Sequence, residues 1–469
     1  MSDKRISRNI VYLQDRSGTG AWRQIWPINS INCIADRKDL QVDYTQTIIQ
    51  DPNFYRGMNS VTVQRWTSPF HLNAFTRFLK PLMDQTFGWL VYEEDDLMFD
   101  GTLLDESKRD FIQNKYGDLK KIGIPLYNRG RKAFEGRQVQ ENIRQMLRAA
   151  DLVTVTTDYL KEIYHDLYDV PMENIVALPN LLPRYLYGDR YDPGVKIAQF
   201  QKNRAKPRIG IVSSLSHYNV SGVRQDKQGC AVREKKLADG KTVWLDEAGH
   251  EVKFEDTEKI TDDFDNIVDT IRRTVKDFQY VCFGYAPPQI DDLVKAGKIE
   301  VYGGQAIMNY PSMLERLGLQ AVIAPIKKTP FNYCKSFIKT MECAAIGVPL
   351  FATNCLPYSR VMDPDSLFDT QDELEEKLRK LKFLSSSSYR GIIEKNWKWL
   401  NSPIYEGDFQ LKNLWLEDNL DIYVNRFKLK QKTIKMSLAS FVKQTEARLA
   451  EQEKKIVAKS ESGEAVITL

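Results

Sequence analysis

The residues best placed for chemistry lie in one run, Ile326 to Pro349, with Lys335, Ser336 and Glu342 at its centre. The run reads as strand, loop, helix, stop and strand. The helix opens near Lys335 or Ser336, and Gly347 stands at the position that ends it, before the buried strand Val348–Ala352. A helix start offers unpaired N–H groups and positive dipole potential, which suits a diphosphate. Lys335 and Ser336 add an ammonium and a hydroxyl at that spot, and Lys327 and Asn332 stand in the loop before it. Glu342 follows about 9 Å further along the axis at roughly 1.5 Å per residue. Its side chain leans back toward the helix start, so its carboxylate could accept both hydroxyls of a ribose. The run also suits a bland reading in which Lys335, Lys339 and Glu342 form a solvated helix face with i,i+3 pairing. Spacing alone leaves both readings open.

Two further clusters bear on chemistry. Glu93-Glu94-Asp95-Asp96 ends an apolar strand and could hold a divalent ion carrying a nucleotide diphosphate. It could equally orient an acceptor hydroxyl through Asp95 and Asp96, hold nearby basic residues, or be a solvated strand end. Gly18-Thr19-Gly20 is too short for a dinucleotide fingerprint and lacks the third glycine. Gly18 and Gly20 suit either a close backbone approach to a diphosphate or an ordinary tight turn, and Arg23 behind them could reach a phosphate. No His/Cys/Asp arrangement has metal-ligand spacing, and Gly-x-Ser-x-Gly is missing. His71 sits beside apolar residues and reads as structural; His217 follows a strand and two serines.

These groups need elements to position them, and the pattern supplies an α/β frame. Short apolar strands are expected at Ile10–Leu13, Val61–Gln64, Trp89–Tyr92, Leu152–Thr156 and Ile175–Leu178. Helical pattern falls between them, over Gln138–Ala149 and Tyr159–Leu167. Alternation of this kind means a mostly parallel sheet covered on both faces. Periodicity lapses from Leu182 to Pro207, which reads as the connection between domains, and then restarts. Strands follow at Arg208–Val212, Tyr280–Phe283, Ile299–Tyr302, Ala321–Pro325 and Pro349–Thr353, with a helix over Lys335–Ala345. The expected domains are therefore 1–190 and 206–388. A β-hairpin insertion is expected over about 218–261, with turns at Asp239-Gly240 and Ala248-Gly249. Helices over 389–458 and a tail over 459–469 complete the chain.

The bulk composition agrees. At 469 residues, with 42% apolar and 11% aromatic residues, the chain suits two medium cores plus an appendage. The charge of +4 is a small difference between 67 basic and 63 acidic residues and does not by itself argue for a nucleic-acid partner. Six cysteines without a CxxC pair, and an N-terminus without an apolar stretch, predict reduced thiols, no membrane insertion and a cytoplasmic location.

The stretch "PFNYCKSFIKTMECAAIGVP" resembles the donor-site signature of GT-B glycosyltransferases of the large retaining group (glycosyltransferase group 1, family 4-like). It is most similar to a Phe-Asn-x-x-Lys-Ser-x-x-Lys-x-x-Glu variant in proteins encoded by bacteriophages and bacteria. "SGTGAWRQIWPIN", "LVYEEDDLMF", "AADLVTVTTDYL…IVALPN" and "KPRIGIVSSLSHYN" resemble further parts of those proteins, in the same order. Together these pieces span about Asn9 to Tyr358. The resemblance implies two Rossmann-like domains facing a cleft, a nucleoside-diphosphate sugar (UDP-linked) as co-substrate, no required cofactor and no metal, and retention of configuration. Donor binding then falls to Gly18, Gly20, Arg23, Lys327, Asn332, Lys335, Ser336 and Glu342. Catalysis falls to Asp95, Asp96, His217 and Lys335. A departure is Cys334, which stands where the pattern has a glutamate. The paired Arg and Lys near the second domain's first strand are also not cleanly placed; Arg224 and Lys227 are candidates. The phage-encoded relatives imply a hydroxymethylated pyrimidine in double-stranded DNA as acceptor, with Lys235, Lys236, Lys241, Lys253, Lys428, Lys430 and Lys432 to touch phosphates. A cell-surface or lipid-linked saccharide is the alternative acceptor. A non-catalytic DNA-binding protein on the same frame is the third reading. Sugar, nucleobase and oligomeric state are not legible.

Overall fold

The computed structural model describes residues 6–14, 16, 18–33, 39–99, 106–117, 133–188, 190–213, 224–226, 231–237, 239–246, 249–259, 262–429 and 450. The chain divides into two compact units. One comprises Met1–Asp96, Glu141–Arg184 and Asn401–Leu469, the other Leu97–Gln140 and Tyr185–Leu400. The end of the chain, read from sequence as appended helices, is thus shared between units. Ser386–Leu400 is a helix of the second, whereas the helix Leu420–Phe427 belongs to the first.

In the first unit β1 (Ser7–Tyr12), β2 (Leu40–Thr45), β3 (Met58–Gln64), β4 (Trp89–Glu93), β5 (Leu152–Val155) and β6 (Ile175–Ala177) form a parallel sheet. Their order is β2-β1-β3-β4-β5-β6. Sequence reading finds every strand except β2. That strand lies at the sheet's edge, and its Leu40 and Val42 alternate with exposed Gln41 and Asp43. A half-solvated edge lacks the apolar run that betrays the central strands.

From Gly18 to Cys33 the backbone is helical, with a π turn over Ala21–Ile25 in which Trp26 N–H donates to the Ala21 carbonyl. Pro27 explains that turn. It has no N–H for the Arg23 carbonyl, and its ring crowds that carbonyl, so the helix widens just before it. The expected glycine loop is corrected accordingly. Gly18 and Gly20 open this helix, Gly20 with an ordinary helical φ of −60°.

The second unit's sheet begins with β7 (Arg208–Ser213). The chain then builds a small antiparallel sheet from β8 (Arg224–Asp226), β9 (Ala231–Lys236), β10 (Thr242–Leu245), β11 (Glu251–Val252) and β12 (Thr257–Lys259), ordered β11-β10-β9-β8-β12. The expected hairpin is its centre, β9 and β10; the three flanking strands are too short for their alternation to show.

The main sheet resumes with β13 (Gln279–Gly284), β14 (Ile299–Gly303), β15 (Ala321–Ala324), β16 (Leu350–Thr353) and β17 (Leu367–Phe368). All pairs are parallel and the order is β14-β13-β7-β15-β16-β17. The first strand is central, the next two lie on one side and the rest on the other. This is the Rossmann order, whose reversal point lies between β7 and β15.

The stretch read as a connection is largely structured. Asp192 caps a helix over Pro193–Lys202, accepting from Val195 N–H at 3.0 Å. That helix packs Phe200 face to face on Tyr389 at 4.2 Å in the second unit's core. Asp192-Pro193 is an N-cap and first-turn signature that the surrounding Pro, Gly and Tyr obscure.

His217, Lys227, Lys430 and Lys432 lie outside the described residues, as does the part of the expected 389–458 helices after 429, apart from Ala450. Among the described residues no helix is long and apolar enough to cross a membrane.

Candidate functional site

The run Ile326–Pro349 lies wholly within the second unit, at the carboxyl ends of β7 and β15. Two helices form where the sequence suggests one. Thr329 caps a single turn, Pro330–Tyr333, accepting from Asn332 N–H at 3.3 Å, with Pro330 at its first position. The main helix then starts at Ile338, behind Phe337, and runs to Ala345. This start is later than the expected Lys335 or Ser336. The Thr-Pro pair was the signal for the extra turn, since it is an N-cap followed by a helix-opening proline. The expected stop holds. Gly347 has φ +67°, and Val348 N–H reaches back to the Cys343 carbonyl at 2.9 Å.

That shift changes which lysine sits at the helix start. Lys335 precedes the helix, its ammonium over the Phe331 ring at 5.0 Å. Lys339 occupies the first turn instead, and its Nζ donates to the Val212 carbonyl, 2.5 Å away at the end of β7. Sequence reading has Lys339 on a solvated face and as the second lysine of the resembled pattern, without assigning it a part in donor binding. Beside it, Gly284 at the end of β13 has φ +104°, and a Cβ there would stand 2.3 Å from the Ser213 carbonyl oxygen. Only glycine lets these strand ends approach so closely.

Glu342 lies one turn beyond Lys339 and is 5% exposed. Tyr187 Oη donates to its Oε1 at 2.8 Å and Tyr310 Oη to its Oε2 at 3.1 Å. Tyr310 is itself held flat against Phe283, with ring centroids 5.3 Å apart. Burial pushes the Glu342 carboxyl upward, opposed by the nearby Lys339 ammonium and the two hydroxyls. Desolvation likewise pulls Lys339 downward, opposed chiefly by Glu342. Each group opposes the other's shift, and desolvation remains the larger influence on both. Sequence reading missed both tyrosines, because Tyr187 and Tyr310 are distant in the chain and only folding brings them to Glu342.

Asn332 and Lys327, expected from sequence to bind the donor, hold the loop. Asn332 Nδ2 donates to Asp263 Oδ1 at 2.9 Å and to the Lys327 carbonyl at 3.0 Å, and Lys327 N–H donates to the same Asp263 oxygen at 2.8 Å. Asn332 is therefore turned inward, a correction to its reading as a ligand. Ile326 N–H donates to Thr353 Oγ1 at 3.1 Å, tying the loop to β16.

In the first unit, Arg23 is corrected outright. It is 1% exposed, and its Nε pairs with Glu93 Oε1 at 2.5 Å. Its remaining nitrogens donate to the carbonyls of Leu178 and Val155 and to Asn180 Oδ1. Those contacts leave the guanidinium no face for a phosphate.

The acidic strand end closes on one cation. Arg65, at φ +49°, donates to Glu94, Asp95 and Asp96 together. Burial raises Glu94 to about 8, against the pull of Arg65 and aided by Asp95 and Asp96. Burial also raises Asp95 to about 6, again against Arg65, and a hydrogen bond from Thr19 links Asp95 to the start of the Gly18–Cys33 helix. Asp96 is the most open of the four, its side chain 28% exposed. Of the readings left open by the sequence, holding a basic residue is the one this geometry displays. Among the described residues, no group of three or more His, Cys, Asp or Glu side chains is placed to hold a metal ion.

No protein-family model and no curated protein matches the chain. Among solved structures it is similar to HepE of Anabaena in complex with UDP-glucose, at 11% identity over 94% of this chain and 99% of that one, with a TM-score of 0.48. It is also similar to a glycosyltransferase from Rickettsia africae ESF-5, at 12% identity over 90% and 98% of the two chains, TM-score 0.46. A third neighbour is MnaA of S. aureus with UDP, at 10% identity over 83% and 91%, TM-score 0.41. The fold assignment rests on the two parallel sheets and their strand orders, not on these neighbours.

Proposed function

We propose that the chain is a nucleotide-sugar-dependent glycosyltransferase whose second unit binds the donor. One observation carries this reading. Lys339 and Glu342 stand one helical turn apart beside the reversal point of a Rossmann-ordered sheet, where open α/β sheets bind ligands. The sequence resemblance over Phe331–Pro349 supports it independently.

In this reading the diphosphate meets the first-turn amides of Ile338 and Lys339, which have no carbonyl within the helix to accept them. Lys339 and Ser336 stabilise the negative charge that grows on the diphosphate as the glycosidic bond breaks. Glu342 takes the ribose. Each carboxylate oxygen can accept two hydrogen bonds, and the tyrosines occupy one apiece while fixing the carboxylate plane. The remaining lone pairs suit two vicinal hydroxyls. A UDP-linked donor, a retaining outcome and a hydroxymethylated pyrimidine in duplex DNA as acceptor rest on the resemblance alone.

The test is donor binding and turnover. The protein is incubated with a panel of sugar nucleotides and with hydroxymethylated and unmodified DNA, and the products are weighed by mass spectrometry. Glu342→Gln should raise the donor KM at least tenfold, with the circular dichroism spectrum unchanged. A folded Glu342→Gln with the parent's KM would overturn the assignment of the ribose. Transfer to a saccharide but never to DNA would overturn the acceptor alone.

A further inference from the structure

The two faces of the first unit's sheet are chemically unlike. In register across β1, β3, β4 and β5, one face presents the polar residues Asn9, Ser60, Thr62, Gln64, Glu93 and Thr154, each 2% exposed or less, among Val11, Trp89, Val91 and Leu152. The other face presents Ile10, Tyr12, Val61, Val63, Leu90 and Val153. Two helical segments lie over the polar face. Arg23 comes from the Gly18–Cys33 segment and Arg426 from the helix Leu420–Phe427.

Part of this layer is satisfied within the chain. Ser60 Oγ donates to Asn9 Oδ1 at 2.7 Å, Ser7 Oγ to the Phe427 carbonyl at 2.8 Å, and Thr154 Oγ1 to Glu93. The part around Arg426 is not. Among the described residues its Nε, Nη1 and Nη2 find no hydrogen-bond acceptor, although the residue is 2% exposed. Among the described residues its one ion-pair partner is Glu93, 3.5 Å away and already paired with Arg23 at 2.5 Å. Both amide atoms of Gln64, the residue in register with Glu93, also lack protein partners. So do both amide atoms of Gln24, next to Arg23 in the chain, and Thr62 Oγ1. Asp95, the nearest further carboxylate to act on Arg23, is held by Arg65.

Two guanidinium groups thus share one carboxylate in a layer rich in unused donors. A buried guanidinium without acceptors is strongly disfavoured, and water supplies acceptors but no charge. We propose that this layer binds one small monovalent anion, of halide size, on the Arg426 guanidinium beside Gln64. Within the group of Glu93, Arg23 and Arg426 one positive charge is in excess, which sets the valence, and the near-complete burial sets the size. The site lies within the first unit and does not depend on the donor reading.

The experiment uses the full chain. Thermal unfolding is followed in sodium chloride or bromide against sodium gluconate at matched ionic strength, up to about 200 mM. The midpoint should rise by about 5 °C in the halides, saturating, and stay flat in gluconate. Arg426→Gln should abolish the difference. Should that variant fail to fold, bromide-soaked crystals of the parent decide, with an anomalous peak expected within hydrogen-bonding distance of Arg426. Equal midpoints in halide and gluconate, or crystals showing only water at Arg426, would overturn the proposal.

Discussion

The two units carry their charges differently. In the second, β7, β13, β15 and β16 are almost wholly apolar inside, and the core is built from Ile209, Ile211, Tyr280, Cys282 and Ile323. Two of its charges, the buried Glu342 and the half-buried Lys339, meet at the strand ends of the candidate site, and Lys196, Asp262 and Asp263 are buried in the same unit. In the first unit the charges Glu93, Arg23 and Arg426 lie within the layer between sheet and helices. Burial of charge therefore means different things in the two halves. In one it is part of a candidate site; in the other it ties the helix Leu420–Phe427 to the sheet.

The largest expected effect follows from that contrast. Glu93→Ala leaves Arg23 and Arg426 without their shared carboxylate, and should lower the first unit's stability by about 3–5 kcal/mol in urea unfolding. A loss below about 1 kcal/mol would show that the layer is not held by this pairing. Next in size, Lys339→Met should weaken UDP binding about tenfold to hundredfold in calorimetry while the chain stays folded. Were Lys339→Met to unfold the protein while Glu93→Ala left it intact, the comparison would be inverted.

A pH series sharpens it further. Burial raises Glu94 to about 8 in the folded state, so between its ordinary value and that point the folded chain binds more protons than the unfolded one. Stability from this group is full at low pH and is lost as pH rises toward 8. Parent stability should thus fall relative to Glu94→Gln between pH 5 and about 8, read by denaturant midpoints at each pH. A parallel pair of curves would contradict the assignment. The smallest effect is expected at the solvent-exposed pair of Lys328 with Asp369, where Lys328→Ala should cost under about 1 kcal/mol.

Much of the frame is legible in the chain itself. Central parallel strands are buried on both faces, so Ile209–Val212 and Val322–Ala324 announce themselves as apolar runs, and Gly347 announces the end of the key helix. Edge and short strands such as β2 and β11 carry no such run and escape notice. The chemistry of the candidate site is also visible as residue types, since Lys339 and Glu342 stand in plain order.

Which lysine opens the helix, and what holds the glutamate, is decided only by tertiary structure. Helix starts shift with local capping, and Thr329-Pro330 diverts one turn from the main helix. The partners of a buried charge come from remote segments, as Tyr187 and Tyr310 do for Glu342 and Arg426 does for Glu93. Sequence order fixes what a residue is able to donate or accept. Only the packing of distant segments fixes which partner it meets, because a buried polar group must find one wherever the chain supplies it.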